Sequence, residues 1–230
     1  MRIHHFLTIA ILSSMASTSQ AGPDLRVRSE RFEMGAVQHS TWASHAFWFR
    51  STGDDTLVIH EIKTNCGCTL MPLERNWIAP GDSLRVDICW DVWKRIGATG
   101  SYPYIYTNAG VDPFRVYLTA TVIVDGGNTR PLAFNPHIFE LPRFGDRSID
   151  SVGFTIRNFS DEEVRLKPVS FFVDECDIVL PEVVAGKGTA KGYIKVRNDF
   201  LDSEFKRSIT IEMNDQKENR LTIPIRRKIY

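Results

Sequence analysis

Two cysteines separated by one glycine, Cys66-Gly67-Cys68, come nearer to chemistry than any other spacing in this 230-residue chain. On an extended segment, residues two apart project to the same side, and a glycine between them opens backbone angles that other residues resist. They offer two soft ligands. A structural zinc site takes four ligands in a tetrahedron, and no second cysteine pair is spaced to complete one. Copper(I) is satisfied by fewer soft ligands, with His60 or Met71 as a third. A structural disulfide from Cys66 or Cys68 to Cys89 ranks ahead of that soft-metal site, although alternation points Cys89 outward with Arg85 and Asp87. A direct Cys66 to Cys68 bridge would close a small, strained ring. The metal candidates are therefore Cys66 and Cys68, and the disulfide candidates are Cys66, Cys68 and Cys89. No cofactor is expected.

Aromatic residues supply the second candidate. Trp42, Trp48, Trp77, Trp90 and Trp93 all lie in the first half of the chain. Of these, Trp42, Trp77 and Trp93 stand in or near turn signals and form a candidate binding patch, suited to a glycan, at one end of that half. His39, His45, His60 and His137 are scattered, with no Gly-x-Ser-x-Gly elbow, His-Glu-x-x-His helix or phosphate-binding glycine loop, so no catalytic residue is nominated. Asp54-Asp55 and Asp174-Glu175-Cys176-Asp177 lack the spacing of a calcium loop and read as solvated turns. Asn158-Phe159-Ser160 fits the glycosylation pattern, a short motif with many chance matches. Lys plus Arg and Asp plus Glu number 28 each, so there is no overall pull toward nucleic acid or anionic lipid.

The elements that must position these residues come twice. Slid along itself by 107 residues, the chain lays Phe32-Glu33-Met34-Gly35 over Phe139-Glu140-Leu141-Pro142, and Leu57, Ile59 and Ile62 over Val164, Leu166 and Val169. At an offset of 106, Val86, Ile88 and Trp90 meet Gly192, Ile194 and Val196; at 107 again, Tyr102, Tyr104 and Tyr106 meet Ile209, Ile211 and Met213. On that alignment the three tyrosines are core residues. Leu84, Val86, Ile88 and Trp90 alternate with Arg85, Asp87, Cys89 and Asp91, the period-two pattern of a strand with one face inward. Ala79-Pro80-Gly81-Asp82 and Thr107-Asn108-Ala109-Gly110 read as turns, and no long segment carries a helical stripe. About seven short strands in about 100 residues, twice over, predict an all-β chain of two tandem immunoglobulin-like antiparallel β-sandwiches. The sandwiches are placed at residues 22–125 and 131–230, joined by a linker at 126–130, and each is expected to fold alone. The second copy has no thiol pair, and Cys176 is out of register with both Cys66 and Cys68.

Residues 1–21 read as a cleaved signal peptide. Arg2 gives a positive start, Phe6 to Met15 an apolar stretch, and Ser19-Gln20-Ala21 small residues at the positions a signal peptidase reads. The apolar stretch is shorter than the roughly 20 residues that cross a bilayer, as is every later one, so no membrane span is expected. The chain is placed in the periplasm or outside the cell.

The order Asp54-Asp55-Thr56-Leu57-Val58-Ile59, Asn65-Cys66-Gly67-Cys68-Thr69, Ile78-Ala79-Pro80-Gly81, Gly100 and Thr107-Asn108 resembles the bacterial secreted family called domain of unknown function 1573, over roughly Phe32 to Val124. The resemblance implies an immunoglobulin-like sandwich similar to the major sperm protein and ASH groups. It brings no established chemistry, and the second copy departs from the motif at Val173-Asp174-Glu175. The expectation is a non-enzymatic exported or envelope protein that binds another protein through its sandwich surfaces. A glycan-binding module and a thiolate copper carrier are the alternatives.

Overall fold

The computed structural model describes residues 22–64, 68–70, 73–171 and 174–230, with the backbone alone for 68–70. The first half is built from β1 (Leu25–Val27), β2 (Arg31–Gln38), β3 (Trp42–Ser51), β4 (Leu57–Lys63), β5 (Cys68–Leu70), β6 (Trp77–Ile78), β7 (Ser83–Asp91), β8 (Gly97–Ser101), β9 (Tyr104–Thr107), β10 (Phe114–Arg115) and β11 (Tyr117–Ile123). A 3-10 turn at Gly126–Asn128, whose Gly127 N–H donates to the Asp125 side chain, leads to the second half. There follow β12 (Leu132–Asn135), β13 (Phe139–Glu140), β14 (Arg143–Phe144), β15 (Arg147–Ser148), β16 (Ser151–Asn158) and β17 (Val164–Ser170). The chain ends through β18 (Cys176–Val179), β19 (Val183–Val184), β20 (Thr189–Val196), β21 (Phe205–Met213) and β22 (Gln216–Arg227).

The fold is all-β, and the repeat read from the sequence is an architectural one. The order β1-β3-β7-β5 in the first half has its equivalent in β12-β16-β20-β18 in the second, and β6-β4-β9-β10 has its equivalent in β19-β17-β21-β22. Alternation puts Phe47, Phe49, Val86, Ile88 and Trp90 into one apolar core and Phe154, Ile156, Ile194, Val196, Ile209 and Ile211 into another. The buried residues of each core come from one half, because each sandwich buries its own inward faces, and the partly buried Ala36 of β2 packs against the second core.

Hydrogen bonding does cross. β11 and β8 continue from β2, and β2 pairs in parallel with β22, so one eight-stranded sheet runs through both halves in the order β19-β17-β21-β22-β2-β11-β8, with β13 as the eighth strand, paired to β22. Ala36 lies opposite Leu221 and Val37 opposite Thr222. The Thr222 hydroxyl donates to the Met34 carbonyl at 2.6 Å, and the Arg220 guanidinium donates to the Glu33 carbonyl at 3.0 Å. Gly35 is required at this crossing. Its φ is +68°, and a Cβ there would collide with the Arg220 carbonyl. The sequence predicts two halves that each fold alone; in the structure the two share the β2–β22 strand pair, so this sheet draws strands from both.

A second contact covers part of the outer face of the β1-β3-β7-β5 sheet. The Ser44 N–H donates to the Ser208 hydroxyl at 2.7 Å, and the Ser208 N–H donates to the Ser44 hydroxyl at 2.8 Å. The Trp42 indole donates to the Arg207 carbonyl at 2.7 Å, and Arg85 donates to Asp174 at 2.8 Å. Arg207 itself pairs with the buried Glu175 carboxylate.

Candidate functional site

The fold brings β5, which carries Cys68, beside β7, which carries Cys89, and sets the nominated tryptophans apart. Cys66 and Met71 lie outside the described residues, as do the Cys68 side chain and residues 1–21. On the backbone, β5 sets Cys68 opposite Trp90 and Thr69 opposite Cys89. Cys89 does project from the outer face of β7, as alternation predicted, yet it is buried, because the second half lies over that face. It lines a groove of about 530 Å³ with Glu204, Phe205, Lys206, Arg226, Arg227 and Lys228. Among the described residues, no three His, Cys, Asp or Glu side chains gather as a metal site would require.

Register also corrects the reading of Cys176. In the second half Cys176 lies opposite Val196, and Ile178 opposite Ile194; in the first, Cys68 lies opposite Trp90, and Leu70 opposite Ile88. Since Val196 and Ile194 are the equivalents of Trp90 and Ile88, Cys176 occupies the position of Cys68. It is wholly buried, and burial pushes its thiol up to about 12. The segment between β17 and β18 is one residue longer than that between β4 and β5, which shifts the offset and hides the equivalence.

The tryptophan patch is not assembled. Trp42 is in β3 rather than a turn and is 6% exposed, its ring under Lys206 and Arg226. Trp77 and Trp93 are 47% and 63% exposed. They lie at opposite ends of the first sandwich: Trp77 pairs with Val58 beside the β3–β4 turn, whereas Trp93 follows the far end of β7. The nine residues of β7 set these ends roughly 25 Å apart. Trp48, which the sequence did not single out, is 45% exposed on the outer face.

The tyrosines are not core either. The segment breaks at Pro103 between β8 and β9, which belong to different sheets, and the phase after the break turns Ile105 inward. Tyr102 is 43% exposed; Tyr104 and Tyr106 are half-buried under Arg115 and Lys63. By contrast Ile209, Ile211 and Met213 are buried on unbroken β21. Asn158, in the glycosylation pattern, is buried, and its amide donates to the Glu162, Val184 and Ala185 carbonyls.

His45 is the histidine that the fold engages most closely. Its ring stacks on Phe32 with centroids 3.7 Å apart, and Nδ1 is 2.9 Å from the Ser170 hydroxyl of the second half. Burial first, then the positive charge of Arg220, lowers its pKa from 6.5 to about 3. A neutral ring held this way is a structural member of the junction between the halves.

Fold and surface together define an all-β protein of two fused immunoglobulin-like sandwiches, with exposed tryptophans on the first. Residues 25–122 match the family described as protein of unknown function DUF1573. No curated protein matches the sequence. Similar solved structures include a protein of unknown function from Porphyromonas gingivalis W83, 13% identical, covering 89% of this chain and 99% of that one with a TM-score of 0.37. The YadV chaperone is 12% identical, covering 88% of this chain and 99% of that one, with a TM-score of 0.34. The ASH/PapD-like domain 7 of human CEP192 is 9% identical, covering 54% of this chain and 98% of that one, also with a TM-score of 0.34.

Proposed function

We infer that this is a non-enzymatic exported protein, of the envelope or secreted, that binds another protein through the surfaces of its first sandwich. The observation that carries this reading is the set of exposed tryptophans on a strand scaffold, each beside basic side chains: Trp77 under Arg75, Trp93 under Lys94, and Trp48 in a groove with three arginines. Protein interfaces concentrate their binding energy in Trp, Tyr and Arg, and large apolar side chains left in water on a rigid support mark such surfaces. The export part rests on the Arg2 to Ala21 pattern. Separation of Trp77 from Trp93, with Trp42 buried, weighs against the single glycan platform that the sequence suggested. A pull-down from envelope extract with the tagged chain should return one protein partner saturably. Saturable quenching of tryptophan emission by one polysaccharide, with no protein captured, would overturn the reading.

A further inference from the structure

The outer face of the β1-β3-β7-β5 sheet has a covered end and an open one. Around Ser44, Ala46 and Asp87 it is closed by Ser170, Arg207 and Ser208 of the second half. At the other end it opens into a groove of about 630 Å³ lined by Arg26, Val27, Arg28, Trp48, Arg50 and Ser83. Arg26 and Arg50 are direct cross-strand partners, and Arg28 reaches the same groove one residue past the end of β1.

Like charges directly opposite each other on a sheet are destabilising. Arg26 has one exposed acidic contact, Asp24 at 3.3 Å, whereas Arg28 and Arg50 have no carboxylate partner among the described residues. Three guanidiniums around a half-exposed indole are therefore a poor arrangement for stability and a good one for carboxylates, which guanidinium binds with two parallel hydrogen bonds. The face already shows this chemistry at its border. Arg85, opposite Trp48, is met by a carboxylate from the second half, Asp174 at 2.8 Å.

We propose that this groove binds an acidic, extended segment of a partner protein. The inference rests on the protein-binding reading above and adds the chemistry of the partner. Spacing selects a peptide. Arg26 and Arg28 are two residues apart, roughly 6.6 Å along an extended chain, which is the repeat at which alternate side chains of a bound strand present their carboxylates. Beside them β1 is an edge strand, pairing only with β3 among the described residues, so its outer side can take main-chain hydrogen bonds from such a segment.

The test uses the whole secreted chain and a fluorescein-labelled dodecapeptide of alternating Glu and Thr. Binding followed by anisotropy should weaken as salt rises, should be at least tenfold weaker for a block peptide of the same composition, and should fall at least tenfold in an Arg28→Gln/Arg50→Gln double variant. The thermal midpoint of that variant should stay the same or rise, because one like-charge pair has gone; a large fall would mean the arginines serve the fold and would overturn the site. Equal binding of the block peptide, or tighter binding of an oligogalacturonate, would overturn the extended acidic peptide as occupant. If wild type and double variant capture the same envelope partner equally, this groove is excluded while the protein-binding reading stands. If wild type captures none, that reading fails by itself.

Discussion

His45 shows how one side chain can couple the junction to pH. With a folded pKa of about 3 against 6.5 for a free ring, the unfolded chain takes up a proton below pH 6.5 that the folded chain refuses. The stability contributed by the neutral ring is thus intact above pH 6.5 and is lost as pH falls toward 3, by at most about 1.4 kcal/mol per pH unit. Urea midpoints measured between neutral pH and pH 4 should fall more steeply for wild type than for His45→Asn, which removes the titration; parallel curves would show that the ring does not titrate as its surroundings require. Cys176 makes a second prediction at this scale. A buried thiol pushed up to about 12 carries almost no thiolate, so native protein should leave Cys176 unalkylated by iodoacetamide in mildly alkaline buffer, whereas urea-unfolded protein should label it. Prompt labelling of the native chain would contradict its burial.

At the scale of elements, the sequence was most informative where a strand is unbroken and least where it is interrupted. Alternation in β7 is visible as Leu84, Val86, Ile88 and Trp90, and all four are buried. The tyrosines misled because sequence alignment carries the phase of β21 across Pro103, where the chain actually changes sheets. Cys176 misled because one extra residue before β18 moves the offset without moving the strand. The arginine groove was partly legible, since Arg26 and Arg28 alternate, but Arg50 joins them only through the β1–β3 register. The β2–β22 crossing was not legible at all: nothing in Met34-Gly35-Ala36-Val37 tells a strand that pairs within its own half from one that pairs outside it. That crossing also fixes an expectation. Gly35→Ala forces a side chain onto the Arg220 backbone at a positive φ and should cost on the order of 2 kcal/mol, read as a lower thermal midpoint. An unchanged midpoint would mean that the crossing contributes little.

For the whole molecule, the two hydrophobic cores are separate but the polar surfaces between them are not. Period-two patterning identifies an outward face without saying what lies outside it, so Ser44, Arg85 and Cys89 look like solvated positions in the sequence and are junction residues in the fold. We propose that the two sandwiches unfold as one body, joined by the β2–β22 pair and the Ser44–Ser208 contact. One urea titration tests it directly, because all five tryptophans belong to the first half and far-ultraviolet circular dichroism reports strands of both. Tryptophan emission and circular dichroism should follow a single superimposable transition. Two separated transitions, with tryptophan emission tracking only one, would show that the halves unfold independently and would contradict the claim.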